Sequence, residues 1–353
     1  MMNMQEQRVL FADTVEKLFL DIMSRESRKS EEQRTASRGD LWQTIEENGL
    51  TAVFDPQSEG GLGGGWEDAF LVLSCAAFHS VALPIGETLL ARRLLIEANM
   101  PAPNGAMTVA LAAAVRLERD SHGSWHLDGS AHAVPWGNEV GHVVLAIGDA
   151  GASQLALVDS SAVGTTRLRD NVAGNPVVDL QFDNVDVMAL GTARDNPFDR
   201  AALMSTASMA GALSSVLNLS VQHANERRQF GRPIGKFQAV QHSLALLANE
   251  TAAVNCAALA ACRAADRGDA AFEIAAAKLR ANRAVGIATG IAHQVHGAIG
   301  FTREHALHRA TRRLWSWRSD YGNDRYWAAR LGARIAAQGA QNFWAYLTAL
   351  SDR

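Results

Sequence analysis

Seven of the eight prolines in this 353-residue chain fall at Pro56, Pro84, Pro101, Pro103, Pro135, Pro176 and Pro197; only Pro233 follows. A proline inside a helix removes a backbone donor and costs roughly 3 kcal/mol. The stretch after Pro197, rich in Ala, Leu and Arg, is therefore free to build long helices. Its periodicity predicts amphipathic helices over Phe198–Arg228, Ala239–Arg267, Ala270–Gln294 and Arg325–Leu350, joined by short links into a four-helix bundle. Within the first, "ASMAGALSS" carries only small side chains at its centre, which permits close helix contact.

Residues 1–103 also predict helices. "LFADTVEKLFLDIM" places Leu10, Val15, Leu18, Phe19 and Ile22 on one face, and "LWQTIEENGL" stops at Gly49. Residues 104–192 change texture. Short β-branched runs such as "HVVLAI" and "PVVDLQF" alternate with Asp-Gly, Gly-Asp-Ala-Gly and Asp-Asn, the pattern of an antiparallel sheet or small barrel with tight turns. Strands confined between two helical segments exclude a doubly wound fold, in which they would alternate with helices. The expected architecture is α+β: a helical domain over 1–103, a small antiparallel β domain over 104–192 and a helical bundle over 193–353.

Composition narrows function. A net charge of −4 argues against nucleic-acid binding, which favours a basic surface. The N-terminal stretch carries Glu6, Asp13 and Glu16 and makes a poor signal peptide. No run of about 18 apolar residues is evident, so no membrane span is expected. Cys75, Cys256 and Cys262 lack ligand-like spacing; the sparse, odd count fits a reducing cytoplasm and predicts no metal site. The loop "EGGLGGGW" has Trp66 where a dinucleotide fingerprint needs its third glycine, and it predicts only a turn before a core helix.

Two stretches point to chemistry. "ERRQFGRPIGKFQ" closes the first bundle helix with Arg227, Arg228 and Phe230 before a Gly-Arg-Pro turn, where guanidinium groups can clamp an anion such as a pyrophosphate. "QVHGAIGFTRE" ends the third in small residues, Gly297, Ala298 and Gly300, which let backbone approach a ligand. Taken together, after a helix–strand–helix layout, they resemble the acyl-CoA dehydrogenase family over nearly the whole chain. The resemblance implies FAD bound at a subunit interface, an acyl-CoA substrate, electron-transfer flavoprotein as acceptor and a homo- or hetero-tetramer. It assigns Arg227, Phe230 and Gln238 to the diphosphate and adenosine portion, with Gln294, Gly297 and Ala298 reaching the cofactor from a neighbouring subunit. Ala298 replaces a glycine of the family pattern.

The resemblance also exposes gaps. The acidic-proline loop that normally lies by the flavin ring is missing, and Val134 stands where a hydroxyl residue usually meets it; Trp136 is a candidate ring contact. The family's α-proton base is a glutamate at one of two places, and here those positions hold Tyr321, followed by Gly322, and Ala201. Asp320 is the remaining candidate base, with Tyr321 and Gly322 lining the pocket; Asp320 could equally pair with Arg318 or Arg325, or cap the following helix. Two readings follow. One is a self-sufficient dehydrogenase that removes an α-proton and passes the β-hydride to flavin N5, using Asp320. The other is a base-lacking partner in a heteromeric dehydrogenase. A flavin monooxygenase on the same fold is a more distant third.

Overall fold

The computed structural model describes residues 4–26, 38–111, 113–148 and 153–351. The front layer consists of α1 (Met4–Glu26), α2 (Arg38–Glu47), α3 (Trp66–Phe78) and α4 (Ile85–Glu97). On α1, Val15, Phe19 and Ile22 are buried as the periodicity requires, but Leu10 stays 57% exposed; the early turns dock instead through Arg8, which pairs with Glu67 and Asp68 of α3. Helix α2 ends in a Schellman motif: Leu50 N–H donates to the Ile45 carbonyl and Gly49 N–H to that of Glu46, with Gly49 at φ +70°. The glycine loop feeds α3, whose N-terminus is already claimed. The Asp266 carboxylate accepts Trp66 N–H at 2.6 Å and Glu67 N–H at 3.0 Å. A phosphate would find those donors taken.

Two four-stranded sheets follow. One runs β1 (Met107–Ala110), β4 (His142–Ile147), β5 (Gln154–Asp159), β8 (Ala189–Thr192); the other β2 (Ala113–Arg119), β3 (Trp125–Pro135), β7 (Pro176–Asp186), β6 (Gly164–Asp170). All pairings are antiparallel except β1 with β4. The central strands of the first sheet, β4 and β5, are buried on both faces, so they are continuous apolar runs rather than alternating ones. Val143 and Leu145 face the second sheet, while Val144 and Ala146 face the helices.

The turn expectation needs correction here. Asp128-Gly129 and Asp183-Asn184 lie inside long strands as bulges facing each other, with Asn184 N–H donating to Asp128 Oδ1 at 3.0 Å. A side chain at Gly129 would strike the Ala114 carbonyl of the neighbouring strand, which is why glycine stands there. The Gly-Asp-Ala-Gly turn, 148–151, falls outside the described residues from 149 on.

The last segment holds α5 (Pro197–Glu226), a small ribbon of β9 (Arg228–Gln229) and β10 (Arg232–Pro233), then α6 (Gln238–Arg267), α7 (Ala271–His296), α8 (Leu307–Ser319), α9 (Asp324–Gln338) and α10 (Phe343–Ser351). Helices α5, α6 and α7 pack on one another, α8 lies against α5 and α7, and α9 against α7. The helix expected over Arg325–Leu350 is two, interrupted where Gly339 turns to φ +77°. Helix α8 was not among the expected four. Gly211 sits at the α3–α5 crossing, where any side chain would collide with the Ser74 carbonyl. One apolar core accordingly runs from the front layer through the bundle, and a second fills the space between the sheets.

By length and composition α5 and α6 could each cross a bilayer, contrary to the expectation of no such stretch. The apolar window of α5 is 78% buried inside the fold, the mark of a core helix, whereas that of α6 is 33% buried. Even so, α6 carries Glu250 in an ion pair with Arg280 of α7.

Candidate functional site

The residues singled out in the sequence gather at opposite ends of α5. At its C-terminal end Arg227 is the capping residue and is exposed. The next residues form a two-residue hairpin in which Phe230 and Gly231 both take positive φ, +51° and +78°. Hairpins of this kind favour such angles, but a phenylalanine adopts them at a cost of about 1–3 kcal/mol. Phe230 is nevertheless 92% exposed, touching the fold only edge-on through Phe237, over whose ring Arg232 lies at 4.2 Å. Gln238 opens α6 on the same surface, also exposed.

The second patch lies beside the first. Helix α7 ends at His296, Gly297 follows at φ +64°, and Gln294, Gly297 and Ala298 are all exposed. His296 stacks on His223, one turn before Arg227, with ring centroids 4.5 Å apart. The two motifs thus form one continuous surface on a single chain. Among the described residues, the side chains of Arg227, Gln238 and Gln294 make no hydrogen bond or ion pair.

At the N-terminal end of α5 the picture is closed. Helix α8 stops at Ser319, and Asp320, Tyr321 and Gly322 turn the chain into α9, with φ +55° at Tyr321 and +98° at Gly322. Glycine is required at 322 because a Cβ would strike the rings of Tyr326 and Trp327. The turn and the end of α8 are pinned by α7 and α9. Lys278 Nζ donates to the Trp317 carbonyl, Asn282 Nδ2 to that of Gly322 at 3.1 Å, and Trp327 Nε1 to that of Tyr321 at 2.9 Å. Phe198, from the first turn of α5, packs against Tyr321, Tyr326 and Trp327. Asn323 caps α9, accepting Tyr326 N–H at 3.0 Å.

Asp320 pairs with neither arginine considered for it. Arg318 instead holds Asp324 at 2.9 Å, while Asp320 accepts from Ser316 Oγ at 3.3 Å. Burial pushes the Asp320 carboxyl above its ordinary range, against the pull of the Lys278 ammonium and the Ser316 hydroxyl. Close by, burial raises Glu87 to about 7, with the Asp320 charge adding and Arg313 opposing. Burial also lowers Lys278 to about 7 and Arg313 to about 10. The Tyr321 hydroxyl is driven well above its ordinary value, first by burial, then by Glu87 and Asp320. Glu87 was not foreseen: in the first turn of α4 an acidic residue is ordinary, since it suits the helix dipole. The other family base position, Ala201, is fully buried on α5. Val134 and Trp136 are 1% and 2% exposed, both within the core between the sheets.

A cavity of about 800 Å³ opens near Arg93, Arg194, Arg200, Asp266 and Arg330, but its walls are tied together. Arg200 binds Asp195 and Arg330 binds Asp199, so it forms a polar seam between layers.

Two helical layers flanking a two-sheet β domain define the fold class. Residues 191–335 match the model of the acyl-CoA dehydrogenase C-terminal domain. The acyl-CoA dehydrogenase IpdE2 of Mycobacterium tuberculosis is 30% identical over 271 residues, 76% of this chain and 78% of that protein. Acyl-CoA dehydrogenase FadE34 of the same organism is 29% identical over 298 residues, 82% of this chain and 41% of that protein. The structure of the Tcur3481–Tcur3483 steroid ACAD superposes with a TM-score of 0.84 at 25% identity, covering 96% of this chain and all of that one. The ChsE4–ChsE5 complex from Mycobacterium tuberculosis shares the fold, with a TM-score of 0.82 at 21% identity and coverage of 94% and 97%. The chain belongs to the acyl-CoA dehydrogenase family.

Proposed function

We propose that this chain is one subunit of an FAD-dependent acyl-CoA dehydrogenase built from unlike chains, gripping the nucleotide end of a flavin whose catalytic base belongs to its partner. The separation of the two ends of α5 carries the proposal. Thirty helical residues span about 45 Å, more than an extended dinucleotide reaches. The Arg227 surface and the Tyr321 turn of one chain therefore serve different flavins, and the exposed surface completes a site on a neighbour.

The surface suits FAD. An unpaired guanidinium fits a diphosphate, an exposed aromatic fits adenine, and two free side-chain amides fit a ribose or ring edge. Arg227 would neutralise the diphosphate, Phe230 would cover the adenosine portion and exclude water, and Gln238 and Gln294 would fix its orientation. Gly297 and Ala298 would let the α7 terminus come close. Bound FAD supplies the acceptor for the β-hydride of an acyl-CoA thioester. This chain offers no carboxylate at Tyr321 or Ala201 to take the accompanying α-proton.

Two structural relatives bear paired names, which supports unlike chains, and the steroid name on one supports a bulky ring-bearing acyl group. The half-exposed face of α6 offers area for a tetramer, with electron-transfer flavoprotein as acceptor. Division into 1–103, 104–192 and 193–353 belongs to the same proposal. A second reading, self-sufficiency through Asp320, is favoured by the burial that raises that carboxyl. Flavin content and bleaching by an acyl-CoA, measured on the chain alone and with a glutamate-bearing partner, separate the two. A chain that bleaches alone as fast as in the pair ends the partner reading.

A further inference from the structure

Three histidines from separate segments converge behind the nucleotide-side surface. His223 lies in the last turn of α5, His296 in the last turn of α7, and His305 just before α8. Their ligand nitrogens, one from each ring, all lie within 4.8 Å of one another. His296 is 6% exposed, stacked on His223 and edge-on to His305 with centroids 4.7 Å apart.

The bonding of His296 is the decisive detail. Its Nδ1 is 2.8 Å from the Ala292 carbonyl, which can only accept, so Nδ1 carries the proton and Nε2 keeps the lone pair. That Nε2 is buried and has no hydrogen-bond partner. A buried acceptor left unpaired costs about 1–3 kcal/mol. An imidazole whose Nδ1–H is fixed by a backbone carbonyl, with Nε2 bare, has the outer-shell arrangement typical of metal-ligating histidines.

We propose that His223, His296 and His305 form a binding site for a divalent transition metal ion of the zinc class. Three nitrogen donors with no carboxylate select zinc, nickel or copper over magnesium or calcium. Zinc–nitrogen bonds of about 2.0–2.1 Å require the rings to draw together, and water fills the fourth position. His223 and His305 are only partly buried and have room to move. His305 Nδ1 now accepts Leu307 N–H at 3.1 Å, and ligation through that nitrogen exchanges this bond for the metal. An ion here would clamp the ends of α5 and α7, holding the Arg227 and Gln294 patches in fixed relation. The three ligands span distant parts of the chain, which is why spacing gave no hint of them.

The test uses the full chain freed of metal by a chelator. Zinc titration by calorimetry, with magnesium as control, is expected to show one equivalent bound, and cobalt is expected to give the visible absorption of a nitrogen-rich tetrahedral site. His305→Ala and His223→Phe are each expected to weaken zinc at least tenfold and abolish the cobalt band. The phenylalanine preserves the ring stack, and circular dichroism checks the fold of both. Absence of stoichiometric zinc binding, or binding and a cobalt band untouched by both substitutions, overturns the proposal.

Discussion

The two ends of α5 are built on opposite principles. At the Tyr321 end the backbone is held from inside the chain: the carbonyls of Trp317, Gly322 and Tyr321 are met by Lys278, Asn282 and Trp327, and aromatic rings close over one another. At the Arg227 end the chain leaves its functional groups unspent, even holding Phe230 in an unfavourable backbone conformation in the open. A polar network satisfied from within rigidifies, whereas one left open waits for something outside. On the proposed reading, this chain's contribution to chemistry is delivered across an interface rather than within its own interior.

Four experiments press on that contrast, beginning with the largest effect. Adding a glutamate-bearing partner to the isolated chain is expected to raise acyl-CoA-dependent flavin bleaching by about 10²–10⁴, the range a positioned base contributes. Arg227→Ala in the assembled protein should loosen FAD roughly 10- to 100-fold, as loss of a charge-assisted contact does, while the melting temperature of the flavin-free chain stays put. Flavin retention after dialysis reads the first quantity and calorimetry the second; equal loss of both would mean that Arg227 serves the fold.

Lys278→Met addresses the closed end. With Lys278 lowered to about 7 in the folded chain against an ordinary 10.5, the unfolded chain holds an extra proton between those values. Stability gained from this group therefore rises with pH across that window, by at most about 1.4 kcal/mol per pH unit. The variant should lose that rise, seen as a flatter difference curve in urea unfolding from pH 7 to 10. An unchanged slope would show that Lys278 stays protonated. The smallest effect is expected of Asp320→Asn in the two-chain assembly, a change in turnover of under about threefold. A collapse of turnover with normal flavin loading would move the base into this chain and dissolve the contrast.

Much of the layout was legible in the sequence because it depends on local rules. Proline placement marked where long helices could run, and β-branched runs marked strands. The Arg227–Phe230 and Gln294–Ala298 stretches were visible because each is contiguous. What escaped depends on tertiary neighbours. Helix α8, "LHRATRRLWSWRS", carries four arginines, and its buried face shows only once Arg313 is seen donating to the Val81 carbonyl. Asp128-Gly129 looked like a hairpin and is a bulge because β2 and β7 flank it on both sides. The strain at Tyr321 and the desolvation of Glu87 exist only when α4, α5, α7 and α8 are assembled.

The bare Cα of Gly211 limits what protein engineers can do with this scaffold. Because α3 approaches α5 more closely than any side chain allows, the front layer cannot be grafted onto a relative's bundle unless the recipient also presents a glycine at the crossing. Swaps intended to alter acyl preference will succeed only when donor and recipient are cut together on either side of that contact.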